Sequence, residues 1–460
     1  MSEYQYNKVT PEMIEKFKEI APKRVLVGDE INEDFTHDEM AIYGKARPEV
    51  LVEATSTEEV AAVVKLCNEN KVPVTPSGAR TGLVGGAVSI GGGVMISLTK
   101  MNKILGYDKE NFVVKIQSGV LLNDLAQDAE KQGLLYPPDP GEKFATVGGN
   151  VATNAGGMRA VKYGCTRDYV RAMTVVLPTG EIVKLGATVS KTSSGYSLLN
   201  LMIGSEGTLG IITELTLKVI PAPKSVISLI IPYENLEDCI ATVPQFFMHH
   251  LAPQFLGKQV YPKELEGTEI GAYLLATFDG NSEEQLEDII EQASEVVLEA
   301  GAIDVLVADT PALKKDAWAV RGALLEAIEA DTVLLDECDV VVPTNKIAEF
   351  LTYTKSLEAE ADFRVKSFGH AGDGNLHIYT CSNDMEEGEF KKQVAVFMDK
   401  VYAKATEFGG MISGEHGIGH GKMDYLAESL GPVQMRIMEG VKEVFDPNMI
   451  LNPGKICYKL

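Results

Sequence analysis

Three glycine-rich segments in the first half of the chain constrain its fold more than any other feature. They span residues 76–87, 146–157 and 204–213, and the first has four glycines in twelve residues after a predicted strand. Glycine admits backbone conformations in which successive N–H groups wrap around an anion. One such segment predicts only a tight turn, but three in one region favour a domain that binds a long, phosphate-bearing cofactor.

Neither common nucleotide-binding signature is present. No Gly-Lys-Ser/Thr follows the glycines of 76–87, which excludes a Walker loop, and their spacing is not that of the Rossmann G-x-G-x-x-G motif. A nicotinamide site in this chain therefore has little support.

Four of the seven histidines lie between positions 370 and 420, in two short glycine-rich motifs. His370 and His377 flank an Asp-Gly turn signal, and Glu415 and His416 are adjacent. A turn between the first two histidines would bring both rings to the same side. Two imidazoles and one carboxylate suit a divalent ion such as Zn, Fe or Mn and leave coordination positions open for a substrate.

Composition limits the class of protein. A chain of 460 residues is long enough for two or three domains, and its net charge of -24 argues against nucleic acid as a partner. No run of about 20 apolar residues predicts a membrane span, and the N-terminus lacks the pattern of a secretory signal. Six scattered cysteines without a C-x-x-C pair predict reduced thiols, a cytoplasmic location and no iron–sulfur cluster.

Local patterns predict the order of secondary structure. In the first half they predict a helix then a strand over 56–75, strands at 94–98, 112–116 and 209–220, a helix at 121–132, and a hairpin over 173–185. A proline-rich segment at 221–223 predicts a domain boundary. Beyond it, strands at 226–231 and 273–278 and an acidic helix at 282–300 predict an α+β domain.

Taken together, these motifs resemble those of the FAD-linked D-2-hydroxy acid dehydrogenases, flavoenzymes of the vanillyl-alcohol oxidase type. The resemblance rests on the three glycine-rich segments, on Pro137-Pro138-Asp139-Pro140 and on the histidine motifs, and it runs from about residue 40 to the C-terminus. The histidine motifs narrow it to the branch of D-lactate dehydrogenase, glycolate oxidase catalytic subunit and D-2-hydroxyglutarate dehydrogenase. Within that branch the chain is most similar to the lactate dehydrogenase subunit of bacterial complexes with an electron-transfer flavoprotein.

The resemblance implies an α+β fold with three parts. Residues 1–222 would form the FAD-binding domain and 223–408 an α+β cap that binds the substrate. Residues 409–460 would return to the FAD domain, complete its site and carry Glu415 and His416.

The resemblance also implies which residues contact FAD, with the loop at 76–87 around the pyrophosphate. Some members of the family link FAD covalently through a histidine, but the first 248 residues here contain only His37, outside that loop, so non-covalent FAD is predicted. The implied contacts are Pro76, Ser77, Gly78, Ala79, Arg80, Thr81, Gly82, Leu83, Gly85, Gly86, Ala87, Pro138, Asp139, Thr146, Gly149, Asn150, Asn154, Gly156, Glu206, Gly207, Ile211, Ile212 and Asn452.

The same resemblance assigns catalytic roles. His370, His377 and Glu415 would hold one divalent metal, Fe or Zn, and His416 would be the base that removes the hydroxyl proton. Arg321 matches the arginine that pairs with the substrate carboxylate, and Asn375 would orient the substrate or a metal ligand. Relatives that take a dicarboxylate carry a lysine where this chain has Glu337, which favours a small monocarboxylate such as lactate.

The predicted reaction is the oxidation of D-lactate to pyruvate, with metal-assisted proton abstraction and hydride transfer to FAD. Electrons are expected to pass to the alpha and beta subunits of an electron-transfer flavoprotein, in a bifurcating or confurcating complex whose partner handles NAD and ferredoxin. Alternatives are a glycolate or other D-2-hydroxy acid dehydrogenase with a quinone acceptor, an O₂-using oxidase, a His/Glu metal-dependent hydrolase and a non-catalytic subunit. A homo-oligomer is also among the expectations.

Overall fold

The computed structural model describes residues 5–249, 255–259, 264–265, 268–310, 313 and 324–459. The chain forms two compact units. Unit 1 comprises Met1–Ala155, Cys165–Pro221 and His416–Leu460, and unit 2 comprises Gly156–Gly164 and Ala222–Glu415. Within the described ranges, no helix combines the length and the apolar character that a bilayer crossing would need.

Unit 1 contains a small sheet, sheet A, that joins one antiparallel pair to two parallel pairs. Its strands lie in the order Val25–Val27, Val50–Glu53, Val94–Ser97 and Val74–Ser77. The predicted helix over this region is confirmed as Thr57–Asn70, and Ser56 Oγ accepts a hydrogen bond from Glu59 N at 3.2 Å. Such a cap satisfies a backbone donor that the first helical turn leaves unpaired.

A second sheet of unit 1, sheet B, is antiparallel throughout. Its strands lie in the order Ile104–Asp108, Val113–Gln117, Ile211–Lys218, Val170–Val176 and Ile182–Gly186. The predicted hairpin is confirmed, because Gly180 at its turn has a φ of 85° and donates its N–H to Leu177 O at 2.8 Å. Unit 1 also contains a short antiparallel pair of strands, Leu134–Leu135 with Ile220–Pro221.

The other elements of unit 1 are helices. The α-helices besides Thr57–Asn70 are Pro11–Ile20, Leu122–Lys131, Val147–Thr153, Leu198–Met202 and Met423–Phe445. The short 3₁₀ turns are Gly28–Glu30, Glu33–Thr36, Ala41–Tyr43 and Thr166–Tyr169. The C-terminal helix is broken at Gly431, whose φ is 74°, where Pro432 follows.

Unit 2 is built on an antiparallel sheet, sheet C. In order, its described strands are Leu306–Ala308, Ser225–Tyr233, Ala272–Gly280, Phe255–Gln259, Arg364–His370, Asn375–Ser382 and Leu334–Val341. A small hairpin pairs Glu264–Leu265 with Thr268–Glu269. The α-helices are Ala160–Tyr163, Leu236–Ala241, Val243–Met248, Glu283–Glu299, Leu324–Ala330, Ile347–Ser356 and Glu387–Glu407, with 3₁₀ turns at Thr344–Lys346 and Leu357–Glu360. The predicted strands at 226–231 and 273–278 and the helix at 282–300 are thereby confirmed.

The segment Gly156–Gly164 groups with unit 2 although both of its neighbours in sequence belong to unit 1. Lys162 Nζ and Tyr163 Oη both donate to the carboxylate of Asp279, whose side chain is 1% exposed on sheet C. A buried carboxylate is costly unless it is paired, so these two donors attach the segment to unit 2. The sequence pattern did not predict this grouping.

Candidate functional site

Two strands of sheet C bring the two predicted histidine ligands to one face. In the hairpin of Arg364–His370 with Asn375–Ser382, His370 lies opposite Asn375 and Phe368 lies opposite His377. Residues opposite each other, and residues two apart on a strand, share a face of a sheet. The Asp-Gly turn is formed as predicted: Gly374 has a φ of 81° and donates its N–H to His370 O at 3.0 Å.

Glu415 completes a compact set of possible metal ligands. Its Oε1 lies 3.2 Å from His377 Nε2 and 3.7 Å from His370 Nε2, and the three ligand atoms lie within 4.8 Å of one another. The two imidazole rings are nearly perpendicular, with centroids 5.7 Å apart. Two nitrogen donors and one carboxylate oxygen at this spacing fit a divalent ion that keeps further positions open.

The environment of Glu415 keeps it ionised. Burial by itself raises the pKa of the carboxyl, but the hydrogen bonds and charges of His370 and His377 together outweigh burial and hold the pKa well below its ordinary 4.5. Glu415 is therefore available as an anionic ligand at neutral pH.

In the turn between the histidines, burial raises the pKa of Asp373 to about 6, although His370 and a backbone hydrogen bond from Asn375 oppose the shift.

Two glycines allow the backbone to approach this set closely. A Cβ on Gly414 would collide with Asn375 Nδ2, and a Cβ on Gly156 would lie 3.0 Å from Glu415 Oε2. Gly156, which the resemblance assigned to FAD, thus packs against the Glu415 side chain within unit 2. Asn375 is 6% exposed and donates through Nδ2 to Asp339 Oδ1 at 2.6 Å and to Val340 O at 3.0 Å.

Of the three remaining residues of the predicted site, the structure describes His416 and Glu337. His416 follows Glu415 directly in the chain, is half-buried and begins the return to unit 1. Glu337 is fully buried on the same face of sheet C, and one of its carboxylate oxygens lies within 4.8 Å of a ring nitrogen of His377. Arg321 lies outside the described residues, so its role as the carboxylate partner stays a prediction.

Asp339 is a site residue that sequence reasoning missed. It is 3% exposed, and its Oδ2 accepts hydrogen bonds from Ser413 Oγ, Gly414 N and Glu415 N at 2.8–2.9 Å. Asp339 lies 76 positions from Glu415 in the sequence. Nothing in a local pattern pairs residues so far apart.

In unit 1, residues of the three glycine-rich segments lie in contact with one another. A Cβ on Gly78 would collide with Thr146 Oγ1, and a Cβ on Gly207 would lie 2.5 Å from Pro76 Cγ. The backbone of 76–87 is therefore in direct contact with both other segments. Thr146 caps the helix Val147–Thr153 by accepting from Gly149 N at 3.3 Å.

The loop offers a row of backbone donors. In the described part of the chain, the N–H groups of residues 78–84 have no protein acceptor, whereas Gly85 N donates to Asp38 Oδ2 at 2.5 Å. Among the same residues, the buried Asn150 Nδ2 and Asn452 Oδ1 also have no hydrogen-bond partner. Buried polar atoms are rarely left unpaired, so these groups fit a polar, phosphate-bearing ligand such as FAD.

Buried charges hold the second half of the loop. Lys455 Nζ donates to Val88 O at 2.6 Å, and Asp38 accepts from Gly85 N. Burial raises the pKa of Asp38 to about 6, lowers that of Lys455 to about 8 and lowers that of His420, which packs against Gly85, to about 4. His420 is therefore neutral at neutral pH and supports the loop without adding charge.

Some predicted FAD residues use their side chains within the protein. Glu206, with a φ of 48°, accepts from Ile418 N at 2.8 Å and from Gly419 N at 2.7 Å. Asn452 Nδ2 donates to Gly86 O at 3.0 Å and to Glu206 O at 2.8 Å. These bonds attach the C-terminal segment of unit 1 to the glycine-rich loop.

The other implied FAD positions also lie in unit 1. Arg80 has a φ of 64°, packs over Phe35 at 3.9 Å and donates from Nε to Asp34 O at 2.8 Å. Asp139 is paired with Lys143. Ser77, Pro138, Ile211 and Ile212 are buried, Asn154 caps the helix Val147–Thr153 in the left-handed conformation, and Ala79, Thr81, Leu83 and Ala87 are half-buried, whereas Gly82 is exposed. Ser118 Oγ and Tyr136 Oη are buried without a partner in the described residues and extend the candidate set.

Substituting Gly78 with alanine is expected to weaken FAD binding. The new Cβ would collide with Thr146 Oγ1, and overpacking costs about 1–3 kcal/mol, which corresponds to a loss of affinity of about 5- to 150-fold. The measurement is the ratio of flavin to protein absorbance, followed by FAD titration of the apoprotein. Gly440→Ala is the control, because a Cβ there meets nothing within 4 Å. Wild-type affinity in Gly78→Ala would contradict the assignment of the loop.

Comparisons with known proteins identify the family of the chain. The family model described as "FAD binding domain" matches residues 48–186, and that described as "FAD linked oxidases, C-terminal domain" matches residues 222–456. D-lactate dehydrogenase of Anaerostipes hadrus is 97% identical, with 100% of both chains covered. Glycolate oxidase subunit GlcD of Bacillus subtilis (strain 168) is 36% identical, with 90% of each chain covered.

A solved structure supports the fold. The structure of p-cresol methylhydroxylase with substrate bound is 19% identical and has a TM-score of 0.78 over 98% of both chains, which speaks to the fold alone. This likeness confirms the predicted α+β fold. The family models and the near-identical relative confirm the FAD cofactor and the enzymatic nature of the protein. The chain belongs to the FAD-linked oxidase family, FAD-dependent oxidoreductases with the vanillyl-alcohol oxidase type of fold, in the branch that contains hydroxy acid dehydrogenases.

Proposed function

We propose that the protein oxidises D-lactate to pyruvate with FAD as the hydride acceptor and a divalent ion, Fe or Zn, held by His370, His377 and Glu415. The observation that carries the proposal is the convergence of the three ligand atoms within 4.8 Å of one another. The near-identical D-lactate dehydrogenase of Anaerostipes hadrus supports the choice of lactate among hydroxy acids.

Each residue has a distinct task in the proposed reaction. When bound, the divalent ion supplies positive charge that lowers the proton affinity of the substrate hydroxyl, and FAD accepts the hydride that leaves C2. The Nε2 atom of each histidine and the carboxylate of Glu415 would hold the ion. His416 takes the hydroxyl proton as general base, and Arg321 pairs with the substrate carboxylate. Asn375, which donates a hydrogen bond to Asp339, orients the substrate or one of the metal ligands.

Glu337 supports a monocarboxylate substrate. It is a fully buried carboxylate on the face of sheet C that carries His377 and Asn375. A second substrate carboxylate near it would meet an acidic side chain instead of the lysine that relatives with dicarboxylate substrates carry there, and a buried charge without a partner is costly. Lactate and glycolate avoid this cost, whereas a dicarboxylate such as 2-hydroxyglutarate does not. Glycolate or another D-2-hydroxy acid is therefore the second candidate substrate.

We further propose that electrons leave through an electron-transfer flavoprotein with alpha and beta subunits, in a bifurcating complex. This part of the proposal rests on the resemblance of the motifs and on the lack of a nicotinamide-binding signature in this chain. In such a complex the NAD and ferredoxin chemistry belongs to the partner. The competing acceptor is a quinone.

The visible spectrum of the purified protein under anaerobic conditions tests the substrate. Addition of D-lactate is expected to bleach the oxidised-flavin absorbance, while D-2-hydroxyglutarate is expected to act at least about tenfold more slowly, since an unpaired buried charge costs well over 1.4 kcal/mol. Bleaching by glycolate but not by D-lactate would favour the second candidate. Reoxidation of the reduced protein by an electron-transfer flavoprotein, a quinone or air then distinguishes the acceptors.

A further inference from the structure

Beside the proposed metal site lies a buried carboxylate that is not one of the three proposed ligands. Asp339 lies on the strand Leu334–Val341 of sheet C, directly opposite His377 in the antiparallel register, and is 3% exposed. Its two oxygens have separate partners. Oδ2 accepts from three donors in residues 413–415, and Oδ1 accepts from Asn375 Nδ2 at 2.6 Å and lies 3.8 Å from His377 Nδ1.

These contacts reach two metal ligands at once. The bond from Glu415 N, at 2.8 Å, fixes the backbone from which the Glu415 side chain extends. The charge of Oδ1 lies on the Nδ1 side of His377, which favours the tautomer with its proton on Nδ1 and its lone pair on Nε2, the atom nearest Glu415 Oε1. Because 3.8 Å exceeds a hydrogen bond, this second effect is electrostatic.

We propose that Asp339 is a positioning residue that sets the affinity of the site for its divalent ion. This inference rests on the metal site of the proposed function. Asp339 acts by holding the 413–415 segment, and with it Glu415, against sheet C, and by orienting His377. It also supplies a second negative charge, so that Glu415 and Asp339 together balance a 2+ ion in a buried setting.

Asparagine cannot replace this carboxylate, although it has the same shape. The position of Oδ2 faces three donors and the position of Oδ1 faces the donor Asn375 Nδ2. An amide has one acceptor oxygen and one NH₂ group, so either orientation sets a donor against a donor. The substitution therefore loosens Glu415 or Asn375 and removes one negative charge.

The test is metal titration of chelator-treated, FAD-loaded full-length protein with Zn²⁺ and, anaerobically, with Fe²⁺, in competition with a chromophoric chelator. Asp339→Asn is expected to weaken metal binding about 10- to 100-fold, with FAD content unchanged. Thr277→Val is the control, because it removes a buried hydrogen bond of sheet C, between Thr277 Oγ1 and Ser228 Oγ at 2.8 Å, on strands other than those that carry His370, His377 and Asp339. It is expected to lower the melting temperature without changing metal affinity.

A milder variant keeps the test decisive if Asp339→Asn does not fold. Ser413→Ala removes one of the three donors to Oδ2 and is expected to weaken metal binding about three- to tenfold. Wild-type metal affinity in Asp339→Asn, or an equal loss of affinity in Thr277→Val, would overturn the positioning role and leave Asp339 with a general structural one. Wild-type protein that binds neither ion would overturn the metal site itself and this inference with it.

Discussion

Replacement of His416 with alanine is expected to remove most turnover while FAD and the divalent ion stay bound. His416 is proposed to take the hydroxyl proton, and a positioned general base contributes about 10²- to 10⁴-fold to rate. The three proposed ligand atoms belong to other residues, and the proposed FAD-binding residues lie mainly in the glycine-rich segments of unit 1. Loss of the imidazole should therefore affect the chemical step rather than the cofactors.

The measurement for His416→Ala is the single-turnover rate of flavin reduction by D-lactate under anaerobic conditions, with flavin and metal content determined on the same sample. His249→Ala is the matched control, because His249 is an exposed histidine of unit 2 and its removal should change neither rate nor content. Near-normal flavin reduction by His416→Ala would defeat the assignment of the base, whereas loss of metal would place His416 among the ligands.

The second large effect is expected when the proposed metal site is disrupted by the substitution His377→Ala. His377→Ala removes one of the three ligand atoms and, with it, the residue opposite Asp339 in the sheet. Since removal of a mere supporting contact costs about 10- to 100-fold in metal affinity, loss of a ligand should cost at least about 100-fold. Oxidation of lactate should fall accordingly, and the flavin absorbance should persist.

Chelation provides the reference for His377→Ala. Chelator-treated wild-type protein should lose activity and recover it when Zn²⁺ or Fe²⁺ is returned, and the variant should not recover at the same ion concentration. The ion that restores activity identifies the native metal better than the ligand types do, because two imidazoles and a carboxylate suit both. Full activity of wild-type protein without any bound metal would exclude a catalytic ion.

The sequence predicted those parts of the site that depend on neighbours in the chain. The Asp-Gly turn between His370 and His377 is one case, because a short hairpin needs a residue with positive φ and Gly374 has a φ of 81°. The helix Thr57–Asn70 is another, because Ser56 caps it through Glu59 N, only three positions away. In both cases the decisive contact spans only a few residues, so its signature is visible in a short window.

Other features depend on contacts between distant parts of the chain. The grouping of residues 156–164 with unit 2 depends on a buried aspartate more than 100 positions away, Asp279. The close approach of Gly156 to Glu415 requires a glycine, but no local pattern says which side chain it must accommodate. The glycine-rich sequence therefore predicts a cofactor-binding segment but not the contact of Gly156 with Glu415.

The sequence by itself determined the cofactor class, the turn that joins the two histidines and the adjacency of Glu415 and His416, because glycine-rich loops, turn signals and chain neighbours are local properties. Only the tertiary structure decided that Asp339 lies opposite His377 and holds Glu415. That arrangement depends on the register of Leu334–Val341 against Asn375–Ser382. A shift of one residue would turn Asp339 to the other face of sheet C, and register is set by the packing of the whole sheet rather than by any one strand.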